Sequence, residues 1–320
     1  MTALEDVLGQ AQQRVLALAP VDVADNLDHF RYDFTGNEVL MRPLVGEDRP
    51  LLMHDLALRQ VASRVGVPID YLRKCPPGLA AMNVNYWVQH GRQKQEALIR
   101  TIRGNQVRAV LSEAYTQFDD VDVLPMVADV LGDEECQVQF ADFAGDYTNI
   151  RILFPRTTSE VRVGDAVQCG IHVSNSEVGM RALRIEALVF RLICLNGAVK
   201  AETGTRTSVR HTGNPGRFKD FIRASVQAAK LDSAALVRAF RASVDHHLED
   251  PIRLIERTAT EGNLGQDQLK AILASFANAG SESTLFGVVN AVTNAAQQEP
   301  TVESRVQMER LGTNLLGMVR

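Results

Sequence analysis

Cysteine is scarce in this chain of 320 residues. Its four thiols, Cys75, Cys136, Cys169 and Cys194, form no C-x-x-C pair, which argues against a disulfide framework and makes reduced thiols the default. No apolar run approaches the roughly 20 residues that span a bilayer, and the opening MTALEDVLGQ lacks the basic start and apolar centre of a signal peptide. A cytoplasmic protein that does not enter a membrane is expected. Aromatics are few, with one Trp and five Tyr, and Tyr86, Trp87, Tyr115 and Phe118 each read first as core. Also missing are G-x-x-x-x-G-K-[ST], G-x-G-x-x-G behind a strand, H-E-x-x-H and G-x-S-x-G. The common nucleotide-dependent and hydrolytic chemistries therefore lack their parts, and neither a cofactor nor an enzymatic activity is expected.

What the chain does have is segregated charge. The net charge of −5 conceals an acidic segment (1–58), a basic one (59–108), a strongly acidic one (109–148) that contains no Lys or Arg, a second basic one (149–223) and a nearly balanced remainder. Either these faces neutralise one another within the fold or between subunits, or the basic segments gather into a polyanion site, which local potential permits even in an acidic protein.

Hydrophobic periodicity gives an α+β fold: an antiparallel β-rich body with flanking helices and a helical C-terminal third. Residues 2–18 have helical spacing, and HFRYDFTGNEVLMRPL alternates about a Gly-Asn turn as a hairpin does. DLALRQVASRV is an amphipathic helix stopped by Gly66, with another helix starting after Pro68. Ala62, Gly66 and Leu72 fall at helix-turn-helix spacing, a weak motif that a packed hairpin explains better. ALIRTIRGNQVRAVLS reads as a hairpin over Gly104-Asn105, QVQFADF and NIRILFP as strands about Gly145-Asp146, and AVQCGIHVSNSEVG with LRIEALVFRLICLNG as an antiparallel pair. Helices fill the sequence from Phe218 onward. Two regions are expected, 1–223 as the mixed body and 224–320 as helices packed on it.

Cys169-x-x-His172, with Cys194 and His211, is the main metal-like grouping, while His246-His247 reads as a polar helix face. A three-residue step on a strand sends the two side chains to opposite faces, so no metal is expected. Cys194, in an apolar strand, reads as an inert buried thiol. The candidate nucleic-acid contacts are Arg100, Arg103 and Arg108 on the central hairpin, Arg181 and Arg184 after the Asn175-Ser176-Glu177-x-Gly179 turn, and Arg206, Arg210, His211, Arg217 and Lys219 in and after the Gly/Thr-rich stretch KAETGTRTSVRHTGNPGR. These are donors suited to phosphate oxygens. Along one strand Arg181 and Arg191 share a parity and Arg184 takes the other, so a bend is required to gather them.

The succession RAVLSEAYTQFDDVDVLP, GIHVSNSEVGMRALRIEALVFRLICLNG, RHTG and LFGVVNAVTNAA resembles the phage/plasmid-like protein family, a domain of unknown function, over roughly Leu51 to Ala296. The ordered motifs N-S-E-x-G, C-x-N-G and R-H-T-G carry the resemblance through Asn175, Ser176, Glu177, Gly179, Cys194, Asn196, Gly197, Arg210, His211, Thr212 and Gly213. It implies DNA metabolism of mobile elements. More distantly, the element order is similar to single-strand annealing proteins of the phage recombinase type, a fold-level analogy. The expected function is single-stranded DNA binding and ATP-independent annealing by a homo-oligomeric ring or filament. The alternatives are a protein-interaction module acting on a host factor and an enzyme built on Cys194, His211 and Glu177.

Overall fold

In a computed structural model, residues 2–47, 49–91, 96–143, 145–192, 196–199, 208–214 and 216–319 are described. The chain opens with α1 (Leu4–Leu18), then β1 (Val21–Asn26), β2 (Phe30–Thr35), β3 (Glu38–Pro43) and β4 (Leu51–Met53). Three helices follow, α2 (Asp55–Arg64), α3 (Ile69–Lys74) and α4 (Pro77–His90), before β5 (Glu96–Ile102) and β6 (Gln106–Ser112). These strands make a six-stranded sheet in the order β1-β5-β6-β4-β3-β2, antiparallel except where β4 runs parallel to β6. Tyr32, Met41, Ile99 and Val107 on the sheet close a core with Ala57, Val61, Leu72 and Val84 of the three helices. Ala62 and Leu72 are both buried in it, so the helix-turn-helix spacing is that of a packed hairpin.

The second unit begins with α5 (Asp120–Leu131), β7 (Gln137–Asp142), β8 (Thr148–Leu153), β9 (Ser159–Arg162), β10 (Asp165–Asn175), β11 (Leu183–Arg191), β12 (Asn196–Val199) and β13 (Ser208–Val209). Its antiparallel sheet runs β12-β11-β10-β8-β7, with β9 beside β10 and β13 beside β11. Five helices complete the chain: α6 (Gly216–Val244), α7 (Pro251–Glu261), α8 (Gln266–Asn278), α9 (Leu285–Ala295) and α10 (Val302–Leu315). The helix α5 falls where the sequence reads only as an acidic excursion. Pro125 removes one of its interior hydrogen bonds. Burial of Val123, Leu124, Val127 and Leu131 holds the helix against that loss.

The parity of the second sheet governs everything that follows. One face, carrying Ile150, Ile152, Ile171, Val173, Ile185 and Val189, is apolar and shares a core with α1, α5, α6 and α9. On the other lie Asn149, Arg151, His172, Ser174, Arg184 and Glu186, with registers that set His172 opposite both Arg151 and Glu186, and Ser174 opposite both Asn149 and Arg184. Cys169 accordingly joins the apolar core while His172 faces away from it, as the strand parity requires. The helical third shares this core, and residue 224 lies inside α6, so the boundary expected after 223 coincides with no break in structure.

Candidate functional site

The central hairpin carries Arg100 and Arg108 inward, not onto a surface. Arg100 is 1% exposed. Its Nε and Nη2 donate to Asp22 of β1 (2.9 and 2.6 Å), and its Nη1 donates to Asp119 (2.7 Å) and to the Glu177 carbonyl (2.8 Å). Arg108 is likewise buried, its Nη1 2.7 Å from the Glu177 carboxylate. As phosphate contacts these two are corrected: buried arginines saturated by carboxylates present nothing to a strand. Arg103 stays at the exposed hairpin tip, where its φ of 52° and its N–H bond to the Leu18 carbonyl (2.7 Å) fix the turn.

Two of the sequence motifs meet at this point. In N-S-E-x-G, Asn175 donates from Nδ2 to Asp120 (2.9 Å), while the Ser176 hydroxyl donates to the Asp146 carbonyl (2.7 Å) and accepts from the Met180 N–H (3.1 Å). Gly179 adopts φ +76°, and a Cβ there would lie 2.7 Å from Leu111, so both the turn and the close approach call for glycine. From R-H-T-G, His211 stacks on Tyr115, with ring centroids 5.1 Å apart, and its Nε2 lies 2.9 Å from Asn175 Oδ1. Since the Asn175 amide nitrogen is committed to Asp120, its oxygen faces the imidazole, and His211 donates from Nε2 as the neutral ring. Burial first, with the Arg100 charge adding to it, holds its pKa down at about 4.

Asp120 and Glu177 form a buried carboxylate pair. Asp120 accepts from Thr148 (2.5 Å) and Arg14 (3.2 Å). Glu177 accepts from Arg108, from Arg14 (3.1 Å) and from the Asp120 N–H (3.2 Å). Burial and the Glu177 charge push the Asp120 pKa up to about 6. For Glu177 burial also pushes upward, but Arg14 and Arg108 outweigh it and the carboxyl sits below its ordinary value. His211, Asn175, Asp120 and Glu177 thus make one hydrogen-bonded chain. It brings together His211 and Glu177 of the enzyme alternative, whereas Cys194 lies outside the described residues. Acidic and basic segments of the sequence meet here within a single chain, and Gln60 of α2 joins them by donating to the Val178 carbonyl (2.9 Å) and accepting from the Val110 N–H (2.7 Å).

A second polar cluster lies on the other face of the second sheet, under α10. Arg151 pairs with Glu309 (2.5 Å), Arg310 pairs with Glu186, and Asn149 donates to Glu303 (3.1 Å). Arg181 precedes β11, stacks over the Tyr147 ring at 4.5 Å and donates to Asn149 (3.2 Å). Arg181 and Arg184 are therefore brought together on this face, while Arg191 turns away to pair with Asp165 (2.5 Å). The glycine of C-x-N-G has its reason here. A Cβ on Gly197 would lie 3.0 Å from Arg151 Nη1 and 3.4 Å from Glu309 Oε1.

Arg210, Arg217 and Lys219 occupy a third place, exposed around the first turn of α6 beside exposed Arg223. Among the described residues no carboxylate pairs with Arg210, Arg217 or Arg223, and Lys219 lies 3.9 Å from an equally solvated Asp129. Arg206 falls outside the described residues. The nine described candidates thus belong to distinct places and do not line one groove. No metal-holding group of His, Cys, Asp or Glu occurs among the described residues.

The family model for the domain of unknown function DUF932 matches residues 107–313, well over half of the chain and the span that holds all three motifs. The chain belongs to the DUF932 family. No curated protein matches it, and no solved structure does. The DUF932 match begins inside β6, so Arg14, Asp22 and Arg100, which complete the carboxylate network, lie before it. Among the described residues no helix is long and apolar enough to cross a membrane, and Cys75, Cys136 and Cys169 are free thiols.

Proposed function

We propose that this DUF932 chain binds single-stranded nucleic acid on the surface around the start of α6 and serves DNA metabolism of mobile elements by annealing strands rather than by catalysis. The carrying observation is the set Arg210, Arg217, Lys219 and Arg223, exposed just before and within the first two turns of α6 and with little carboxylate neutralisation, when Arg100 and Arg108 of the hairpin are consumed internally. Cations at such a surface follow a phosphate backbone without reading bases. Annealing needs no nucleotide hydrolysis, consistent with the absence of a phosphate-cradling loop from the sequence. Assembly into a ring or filament in the cytoplasm completes the reading.

A fluorescent oligo-dT titrated at several salt concentrations tests it. Affinity should fall with salt at a log–log slope of roughly −0.7 per phosphate neutralised. Reversing Arg210, Arg217 and Arg223 to Glu should lower that slope by about 2 units and weaken all sequences alike. A flat salt response, or an unaffected triple variant, overturns the reading. Electron microscopy with and without the oligonucleotide tests the assembly.

A second reading has its own observation. Leu79, Met82 and Tyr86 share one side of α4 at helical spacing and are 42%, 67% and 54% exposed, with Trp87 edge-on to Tyr86 at 5.2 Å. A protein partner with an apolar surface fits that stripe. Met82→Ser with Tyr86→Ser should abolish such an association and leave oligo-dT binding intact.

A further inference from the structure

We propose that the polar layer between the second sheet and α10 is a binding site for a small, doubly charged oxyanion of the phosphate class. The site is distinct from the strand-binding surface at α6, and its argument is independent of that reading. It rests on unsatisfied donors and on charge.

Among the described residues, seven buried side-chain atoms in this layer have no hydrogen-bond partner: Nε of Arg151, Arg184, Arg305 and Arg310, both ring nitrogens of His172, and Oγ of Ser174. His172 is fully buried and Ser174 equally so. The His172 Nδ1 lies 3.5 Å from Glu186, at the limit where a hydrogen bond ceases to count. A buried donor left without an acceptor is costly, so a layer with this many implies an occupant. The residues that carry these atoms adjoin one another. Ser174 faces Arg184 across β10 and β11, and His172 faces Glu186, the carboxylate that Arg310 holds. Arg305 acts on Glu309, which Arg151 holds.

Charge then selects the occupant. The groups facing this layer are the cations Arg151, Arg181, Arg184, Arg305 and Arg310 and the carboxylates Glu186, Glu303 and Glu309. His172 adds none at neutral pH, since burial, opposed by Glu186, keeps its pKa down at about 4. Neither Arg184 nor Arg305 makes an ion pair among the described residues. Two positive charges remain. Water could satisfy stray dipoles but would leave two half-buried cations without a counter-charge, whereas a dianion accepting from guanidinium Nε–H groups, a hydroxyl and an imidazole N–H answers both needs. Tetrahedral oxyanions present enough acceptors to meet donors from a strand pair and a helix together. Entry is from the side where Arg181, Arg184, Arg305 and Arg310 are only half-buried, beside the Tyr147 ring.

The test uses the full chain in phosphate-free buffer at constant ionic strength, with thermal melting and calorimetry against inorganic phosphate, sulfate, chloride and an oligo-dT lacking a terminal phosphate. Phosphate and sulfate should raise Tm saturably where chloride does not. Ser174→Ala and Arg184→Met should each lower phosphate affinity roughly tenfold while leaving the anion-free Tm unchanged or higher, a combination that a purely structural role does not produce. The Arg210, Arg217 and Arg223 reversals should retain the phosphate response, so this site and the strand surface fail separately. No saturable response beyond chloride overturns the proposal, as does a response preserved in both variants. Displacement of phosphate by oligo-dT would also overturn it, by making the layer part of the strand surface.

Discussion

The junction at the hairpin and the layer beneath α10 are built from the same materials, buried arginines and glutamates, yet they end in opposite states. At the junction every guanidinium has its acceptors. Arg100 alone reaches Asp22, Asp119 and the Glu177 carbonyl, and among the described residues the one orphan there is His211 Nδ1. Beneath α10 three ion pairs or hydrogen bonds hold the helix, but the atoms between them go unanswered. A saturated network joins parts, since removing one member leaves its partners charged and dry. An unsaturated one is a receptacle, since its members gain from something added.

The largest expected effect separates the two. Arg100→Met should destabilise the protein by roughly 3–5 kcal/mol in denaturant unfolding, because Asp22 and Asp119 then lose their cation in a largely buried setting. Arg184→Met in phosphate-free buffer should lie within about 1 kcal/mol of the parent, because no partner is stranded. Equal costs at the two positions would erase the distinction.

Gly197→Ala probes the layer more gently. The added methyl presses on the Arg151–Glu309 pair at 3.0–3.4 Å, and a loss of about 1–3 kcal/mol is expected, readable as a lower urea midpoint with an unchanged m-value. A neutral result would show that this pair yields freely.

Acid titration weighs the clusters against each other. His172 and His211 both have folded pKa values depressed to about 4. The unfolded chain therefore binds more protons between about 6.5 and 4, and stability falls as pH drops through that window. Asp120, raised to about 6, acts in the opposite sense between about 4 and 6, because its folded form takes up the proton first. A net loss should remain in the parent, since two imidazoles are opposed by one carboxyl. It should steepen in Asp120→Asn, where the opposing carboxyl is gone, and flatten in His211→Asn. Identical pH profiles in all three would show that neither cluster governs acid stability.

How far the sequence reaches is clearest in three places. The hairpins at Gly36-Asn37 and Gly104-Asn105, the β10–β11 pair and the long α6 were legible because their periodicity and turn residues agree. The parity argument for Cys169 and His172 carried through to the structure for the same reason. The charge blocks were legible as blocks but not as partners. Arg100 meets Asp22 across the β1–β5 pair and reaches Asp119 and Glu177 only after the two sheets come together, and no local pattern records a pairing 78 residues apart. Arg181 and Arg184 were separable by strand parity only if the strand extended to 181, whereas β11 begins at Leu183 and the preceding turn swings Arg181 round to the same face. Asn175, Glu177 and His211 were recognisable as motif members, while Asp120, which links them, was hidden in an acidic stretch broken by Pro125. Arg305 and Arg310 gave no signal at all, since on an exposed-looking helix they resemble ordinary solvated charges.

The placement of Arg100 also has a kinetic consequence. Its acceptors come from β1, from the start of α5 and from the turn after β10, so the clasp cannot close until two separately built sheets have docked. Contacts that close large loops are entropically costly and form late. Loss of the clasp should therefore appear in the unfolding limb of a chevron rather than the folding limb, making Arg100 a determinant of how long the native state lasts more than of how quickly it is reached.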